Sequence, residues 1–365
     1  MKIAQIAPLY EAVPPDQYGG TERVVANLVN QLVDMGHDVT LFASGDSLTK
    51  GRLVSGVELS LRKRMTGEEM IQVAPSIHLR MLNQVSAMAT EFDVIHSHVD
   101  HLAFPFAEHW PVPSLHTLHG RLDLPPSRNI HGLYSAVPMV SISDSQRWPL
   151  TGVPVRWLGT VYNGLDVSSY RFEPRPRGYL AFLGRISPEK RPDLAAEIAH
   201  RAGLPLRVAA KVDPVDLDYW EQKIRPLFER YRVDFVGEIG DTEKSEFLGG
   251  ATAMVFPIDW PEPFGLVMVE SLACGTPVVA ADRGSVREVI RPGRGGIIAN
   301  SLDQMVEAVH GIGSLERSMC HREAERFDTS LMARGYLAAY HRLIDEQGSA
   351  AMVRSRFRER IPEAS

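Results

Sequence analysis

The sequence predicts an α/β chain with two doubly wound, parallel-sheet domains, on three observations. Residues 2–43 read as strand, glycine turn, helix and strand. The stretch 171–178 carries prolines and charge without an apolar face, and a second alternation of strands and helices opens at Tyr179 and runs to residue 256. Strands alternating with helical segments of this length build parallel sheets through right-handed crossovers. The 365 residues are also more than one core comfortably serves. The boundary falls in the Pro- and Arg-containing linker, giving domains of 1–170 and 171–334.

In the first domain the strand at 2–7 enters a loop rich in Pro and Gly that ends Tyr18-Gly19-Gly20. Thr21 is placed to cap a helix whose Val24, Val25, Leu28 and Leu32 share one face and which stops at Gly36. A strand at 39–43 and a helix near 68–90 follow. Residues 92–98 then run a strand into His96 and His98, and residues 113–120 repeat the arrangement with His119 and Gly120. Open parallel sheets bind ligands at the carboxyl ends of their strands. His98 and His119 are therefore cleft candidates, whereas His96 reads as a hydrogen-bonded structural residue. Short strands at 137–143 and 160–164 complete this half. No G-x-G-x-x-G follows the first strand and no Walker A lysine motif occurs, which disfavours a dinucleotide oxidoreductase or a P-loop ATPase.

The second domain reads as strands at 179–183, 205–209, 233–236 and 253–256 with helices at 189–202, 217–230 and 242–250 between them. Its first strand ends Gly184-Arg185, and Pro188 suits a helix's first turn. Arg185 is then expected in the turn and Lys190 in the opening turns of the helix, two cations beside free amides that suit a diphosphate. Most isolated Arg and Lys side chains are solvated surface charge; the place at a strand's carboxyl end singles these two out. After the strand at 253–256 comes Asp259-Trp-Pro-Glu-Pro-Phe-Gly-Leu-Val-Met-Val-Glu270. Pro263 and Gly265 make a turn, and an apolar helix opens near Gly265, so its first amides and positive dipole end form an anion site beside Glu262. Glu270 lies inside that helix and needs a cation, amides or ligand hydroxyls, because an unpaired buried carboxylate is costly. Asp216-Leu-Asp218 reads as helix capping rather than a metal site. From about residue 301 the chain is helical, with 332–344 the clearest segment.

Composition excludes several classes. A formal charge of −6 argues against a general nucleic-acid binder. Cys274 and Cys320 are too few for a disulfide framework and fit a reduced compartment. The histidine spacing matches no zinc signature, so no metal site is expected. The opening run 1–7 is too short for a signal peptide, and no apolar run approaches about 18 residues, so a soluble cytoplasmic protein without an integral membrane segment is expected. The basic tail at 354–360 is compatible with peripheral contact to acidic lipid, although a solvated helix end is the plainer reading.

Taken together, the chain resembles the family-4 retaining glycosyltransferases of the GT-B architecture nearly end to end. The residues that carry the likeness are Tyr18-Gly19-Gly20, Thr117-Leu-His119-Gly120, Asn163-Gly164-Leu-Asp166, Gly184-Arg185 with Lys190, and Glu262 with Glu270. The last two constellations are the specific ones. The resemblance implies two Rossmann-like domains facing across a cleft, with 335–365 crossing back onto the first. It implies transfer of a sugar, expected to be a hexose, from a nucleoside-diphosphate sugar to an unidentified hydroxyl acceptor, a glycan, lipid or small molecule. No cofactor is expected, with Arg185 and Lys190 holding the diphosphate in place of a metal ion.

By the same likeness Glu270 accepts the ribose hydroxyls and Glu262 those of the donor sugar. The Phe264, Gly265 and Leu266 amides lie against sugar and phosphate, His119 against the sugar, and Gly19 and Gly20 against the phosphate and the entering acceptor. Catalysis is expected to fall on His119, Glu262, Arg185 and Lys190, and His98 is an acceptor-side candidate. Retention would follow from a front-face displacement in which the leaving phosphate oxygen takes the acceptor proton; a covalent role for Glu262 stays open. Where the family commonly has glycine after the lysine, this chain has Arg191, which either crowds the turn or adds a third cation. Two other readings are a GT-B sugar-nucleotide epimerase and a non-catalytic sugar-nucleotide-binding protein; Arg185, Lys190 and both glutamates together speak against the second. Rotation about 171–178 is expected to close the cleft on the donor.

Overall fold

Strands with apolar residues on both faces assemble into two all-parallel sheets. The structure, a computed structural model, describes residues 1–17 and 19–358, with side chains to Ser349. Tyr18 and the side chains of the basic tail lie outside the described residues. The first sheet comprises β1 (Lys2–Ile6), β2 (Asp38–Ser44), β3 (Arg52–Val57), β4 (Val94–Ser97), β5 (Ser114–Thr117), β6 (Pro138–Ser141) and β7 (Arg156–Thr160) in the order β3-β2-β1-β4-β5-β6-β7. The second comprises β8 (Tyr179–Arg185), β9 (Leu206–Lys211), β10 (Asp234–Gly237), β11 (Ala251–Phe256), β12 (Val278–Ala281) and β13 (Gly296–Ala299) in the order β10-β9-β8-β11-β12-β13. In each sheet the strand order reverses beside the first strand, β1 or β8, which leaves a crevice at the carboxyl ends.

The chain crosses between the sheets twice, and the crossings lie side by side. Leu165 bridges Asp328 in parallel, Leu165 N donates to Phe327 O at 2.8 Å and Thr329 N to Leu165 O at 3.1 Å. The expected hinge at 171–178 is not where the chain crosses. Glu173 N donates to Cys274 O at 3.1 Å and Arg177 N to Gly250 O at 2.7 Å, while Arg317 Nε donates to Glu173 O at 2.7 Å. Leu165, Val167 and Tyr170 already pack in the core of the second sheet. A proline-rich segment without an apolar face is here fastened through its backbone to the second domain, and the chain crosses upstream of it and at the Phe327–Asp328 return.

The closing helix Thr329–Arg358 returns to the first domain, where Met332, Ala333, Tyr336, Tyr340 and Leu343 join a core with Val25, Leu28 and Leu32. Among the described residues no helix is long and apolar enough to cross a membrane.

Other local expectations shift. The strand expected at 160–164 is β7, which ends at Thr160, because the β6 pairing runs from Pro138↔Arg156 to Ser141↔Thr160. The first helix begins at Gly20 with Gly19 as cap, not after Thr21, and no side chain caps it. The helix expected from 189 begins at Pro192, since that proline, not Pro188, takes the first helical position. Strands β3, β12 and β13 were not anticipated: β12 and β13 have only four residues each, and β3 is a partly exposed edge.

Candidate active site

A cleft of about 450 Å³ opens between the carboxyl ends of the two sheets. Gly19, Gly20, His98, His119, Arg185, Lys190, Glu262, Phe264, Gly265, Leu266 and Glu270 all line it, so the structure brings every site residue proposed from sequence to one place. Gly20 and Leu266 close it from opposite sides: a Cβ on Gly20 would stand 4.0 Å from Leu266 Cδ1.

The second-domain wall is basic, and each cation already has a carboxylate. Arg185, the last residue of β8, donates to Glu189 at 2.6 Å and Asp213 at 3.3 Å, with Asp216 at 3.9 Å. Asp216 is thus turned to Arg185 and makes no side-chain cap bond, which corrects the capping reading of Asp216-Leu-Asp218. Lys211, at the end of β9 and in register with Arg185, lies 3.1 Å from Asp213. Lys190 stands two residues ahead of its helix, so it is not in the helix's opening turns. Its ammonium donates to Glu262 and sits 4.8 Å from the Trp260 ring centroid and 5.6 Å from that of Phe256. Arg191 takes the left-handed conformation, φ 56°, that glycine would adopt without strain. Its guanidinium is held at 3.0 Å by Asp193 and at 4.0 Å from Asp259, so it turns to its own carboxylates.

The two glutamates sit on either side of a tight turn. Gly265 caps the helix Leu266–Ala273 at φ 79°, a left-handed conformation that favours glycine. Ser285 fastens the turn from below, its N–H on Glu262 O at 3.0 Å and its hydroxyl on Phe264 O at 2.7 Å. Gly284 permits this approach, since a Cβ there would fall 2.3 Å from Glu262 O. Glu262 accepts from Lys190 and, at 3.1 Å, from the Trp260 indole. Glu270 is 2% exposed and finds the cation it needs in Lys244 at 2.7 Å, with the Tyr170 hydroxyl donating at 3.0 Å.

The first-domain wall carries the histidines. His98 Nδ1 and His119 Nε2 are 2.9 Å apart, and His98 Nε2 is 2.9 Å from Gln5 Oε1. Burial, with neighbouring imidazoles adding to it, holds His98 well below the usual histidine range, and burial takes His119 down to about 4. His96 is structural, as the sequence suggested: Tyr340 and Thr117 meet its two ring nitrogens at 2.7 and 2.9 Å. In the first turn of the helix Gly20–Asp34, burial with Glu11 nearby pushes Glu22 up to about 7.

The two walls are already tied together. Gln146 Nε2 donates to Leu118 O at 2.8 Å and Gly120 O at 2.9 Å, the carbonyls flanking His119. The Gln146 N–H donates to Ser143 Oγ at 3.1 Å, and Ser143 Oγ donates to Pro263 O, next to Glu262, at 2.6 Å. Glu288 of the second domain accepts the Asp144 and Ser145 amides at 2.7 and 2.9 Å, and Arg23 pairs with Asp241 across the cleft. Sequence reasoning missed Lys211, Lys244, Tyr170, Gln5 and this Ser143–Gln146 link. Lys211 carried the same strand-end signal as Arg185, and Trp260 stood inside the motif already singled out.

Paired parallel-sheet domains, a cleft at their facing carboxyl ends and a closing helix that returns to the first domain define a GT-B glycosyltransferase. Solved structures agree on the fold: a sucrose-phosphate synthase from Thermosynechococcus elongatus has a TM-score of 0.74 at 18% identity, covering 95% of this chain and 100% of that one. HepE of Anabaena has a TM-score of 0.72 at 17% identity, covering 94% and 100%. The family model for glycosyltransferase family 4 matches residues 18–169, and that for glycosyl transferases group 1 matches residues 171–327. The chain belongs to the family-4 glycosyltransferases. A phosphatidyl-myo-inositol mannosyltransferase of Mycolicibacterium smegmatis is 27% identical over 93% of each chain. A D-inositol 3-phosphate glycosyltransferase of Frankia alni is 29% identical over 68% of this chain and 74% of its own.

Proposed function

We propose that the protein is a retaining, metal-independent hexosyltransferase that uses a nucleoside-diphosphate sugar and a hydroxyl acceptor. The observation that carries this is the convergence of Arg185, Lys190, Lys211 and the Gly265-capped helix N-terminus on one wall of the cleft. Breaking a glycosyl–phosphate bond leaves negative charge on the diphosphate, and fixed cations with helix amides are what stabilise it. HepE, of the same fold, was solved with UDP and with UDP-glucose, which supports a nucleotide sugar in this cleft.

Arg185 would exchange its carboxylate partners for phosphate oxygens. Lys190 would bridge the diphosphate and Glu262, leaving Glu262 to orient the donor sugar's hydroxyls. Both described bonds to Glu270 fall on Oε1, so Oε2 is the oxygen a ribose hydroxyl would meet. Gly20 and the amides after it face the phosphate from the first domain. The leaving phosphate oxygen takes the acceptor proton on the same face, which calls for no protein base. A thermal-shift panel of UDP, GDP and ADP sugars tests the reading: one base should raise the melting temperature, and no response from any of them would remove the nucleotide from this cleft.

A further inference from the structure

We propose that Gln5, acting through His98, fixes the tautomer of His119 so that its remaining ring nitrogen, Nδ1, is a hydrogen-bond acceptor, and that the returning C-terminal helix sets Gln5 through Tyr340. His119 Nε2, His98 Nδ1, His98 Nε2 and Gln5 Oε1 form an unbroken line with 2.9 Å at both steps between side chains. Gln5 Nε2 donates to the Tyr340 hydroxyl at 2.9 Å. That hydroxyl stands 2.7 Å from His96 Nδ1, His96 Nε2 stands 2.9 Å from Thr117 Oγ1, and Thr117 Oγ1 donates to Tyr336 OH at 3.2 Å. Gln5, His96, Thr117, Tyr336 and Tyr340 are fully buried, so water does not interrupt the sequence of donors and acceptors.

The amide of Gln5 gives the line its direction, because its two ends differ in kind. Its oxygen can only accept, so His98 carries its proton on Nε2. Burial keeps His98 neutral, so its Nδ1 is a bare lone pair and must receive the Nε2 proton of His119. Burial likewise keeps His119 neutral, which leaves Nδ1 bare. That atom is buried and has no hydrogen-bond partner among the described residues, and His119 lines the cleft. On the other side the order closes without conflict: the Tyr340 hydroxyl accepts from Gln5 and donates to His96 Nδ1, and His96 Nε2 donates to Thr117. Turning the amide over would reverse every bond and put a proton on His119 Nδ1. The order set where Thr117 donates to Tyr336 thus passes through His96 and Tyr340 to the Gln5 amide. Gln5, His98 and Tyr340 are positioning residues, and His119 in this state has no proton to give to a leaving group. Its partner must be a hydrogen-bond donor, which on a sugar is an O–H.

The inference rests on the preceding reading only in assigning that O–H to the donor sugar, and its first test needs no ligand. In the full chain labelled with nitrogen-15 histidine, with His119 assigned by a His119→Asn variant, the His119 proton should lie on Nε2. A proton on Nδ1 would overturn the proposal whatever the protein transfers. Tyr340→Phe should leave a folded protein by circular dichroism with both tautomers at His119; an unchanged Nε2 proton would remove the helix from the account. Gln5→Met, which removes both ends of the amide, should likewise release His119 to both tautomers, and an unchanged Nε2 proton there would also overturn it, even where Tyr340→Phe fails to fold. With the nucleotide sugar found in the panel, the hydroxyl facing His119 is the one whose removal weakens binding in the parent but not in His119→Ala. There fluorine should bind about five- to tenfold weaker than hydroxyl, as hydrogen does. Fluorine restoring binding would contradict an acceptor nitrogen, whereas finding no such hydroxyl would count against the placement of the sugar and not against the tautomer.

Discussion

Lys190→Met separates what the Lys190–Glu262 pair does for stability from what it does for the reaction. The side chains of Lys190 and Glu262 are 14% and 9% exposed, so removing the ammonium leaves a nearly buried carboxylate with, among the described residues, only the Trp260 indole as side-chain donor. Breaking a buried pair costs about 3 to 5 kcal/mol. Because this one opens on the cleft and is partly screened, the cost falls below that range, to about 2 to 3 kcal/mol. Methionine keeps an unbranched side chain of similar length but gives up the ammonium's place over the Trp260 and Phe256 rings. Adding Glu262→Gln removes the stranded charge, so the double variant should return to within about 1 kcal/mol of the parent. Catalysis should not return with it: losing one preorganised charge-stabilising donor costs about 2.7 to 4 kcal/mol. Urea denaturation reads the first quantity; donor turnover and calorimetric titration with the matching nucleoside diphosphate read the second. A double variant that binds and turns over like the parent would move the diphosphate elsewhere.

Three further outcomes follow from the same geometry. Glu270→Ala should mainly raise the donor KM, since ribose contacts serve ground and transition states alike, whereas Glu262→Ala should mainly lower kcat; steady-state kinetics showing the reverse would exchange their roles. Glu22, raised from 4.5 to about 7 chiefly by burial, is neutral in both states at low pH. The unfolded chain ionises first as pH rises, so stability should fall by about 3 kcal/mol between about pH 4.5 and pH 7. Glu22→Gln should remove that slope in urea melts, and an unchanged slope would place the titration elsewhere. Ser143→Ala with Glu288→Ala breaks the bonds to Pro263 O and to the Asp144 and Ser145 amides. It should raise the radius of gyration of the unliganded protein in solution scattering, with nucleoside diphosphate reversing the change; no difference from the parent would deny that these bonds hold the cleft.

What sequence could show depended on whether a residue's chemistry was local. Arg185 and the Glu262–Glu270 turn were legible because strand ends, a left-handed Gly265 and a buried carboxylate each carry a physical constraint within a few positions. Glu270's need for a partner was legible, but Lys244 and Tyr170, 26 and 100 positions away, carried no signal pointing to it. The crossing between the sheets escaped notice for a related reason. Residues 171–178 lack an apolar face, yet their backbone groups are satisfied by Cys274, Gly250 and Arg317, which composition cannot reveal. Lys190 was expected one turn too deep, because Pro188 and Pro192 compete for the first helical position and only the structure shows which wins.

The most direct test of the central claim is proton NMR of the protein with its matching nucleotide sugar, a panel of hydroxyl acceptors and EDTA. The account predicts release of nucleoside diphosphate together with a glycoside whose anomeric configuration is that of the donor. A new sugar nucleotide formed with no diphosphate released would make the protein an epimerase, and turnover that stops with EDTA and returns with manganese would contradict the role given to Arg185 and Lys190.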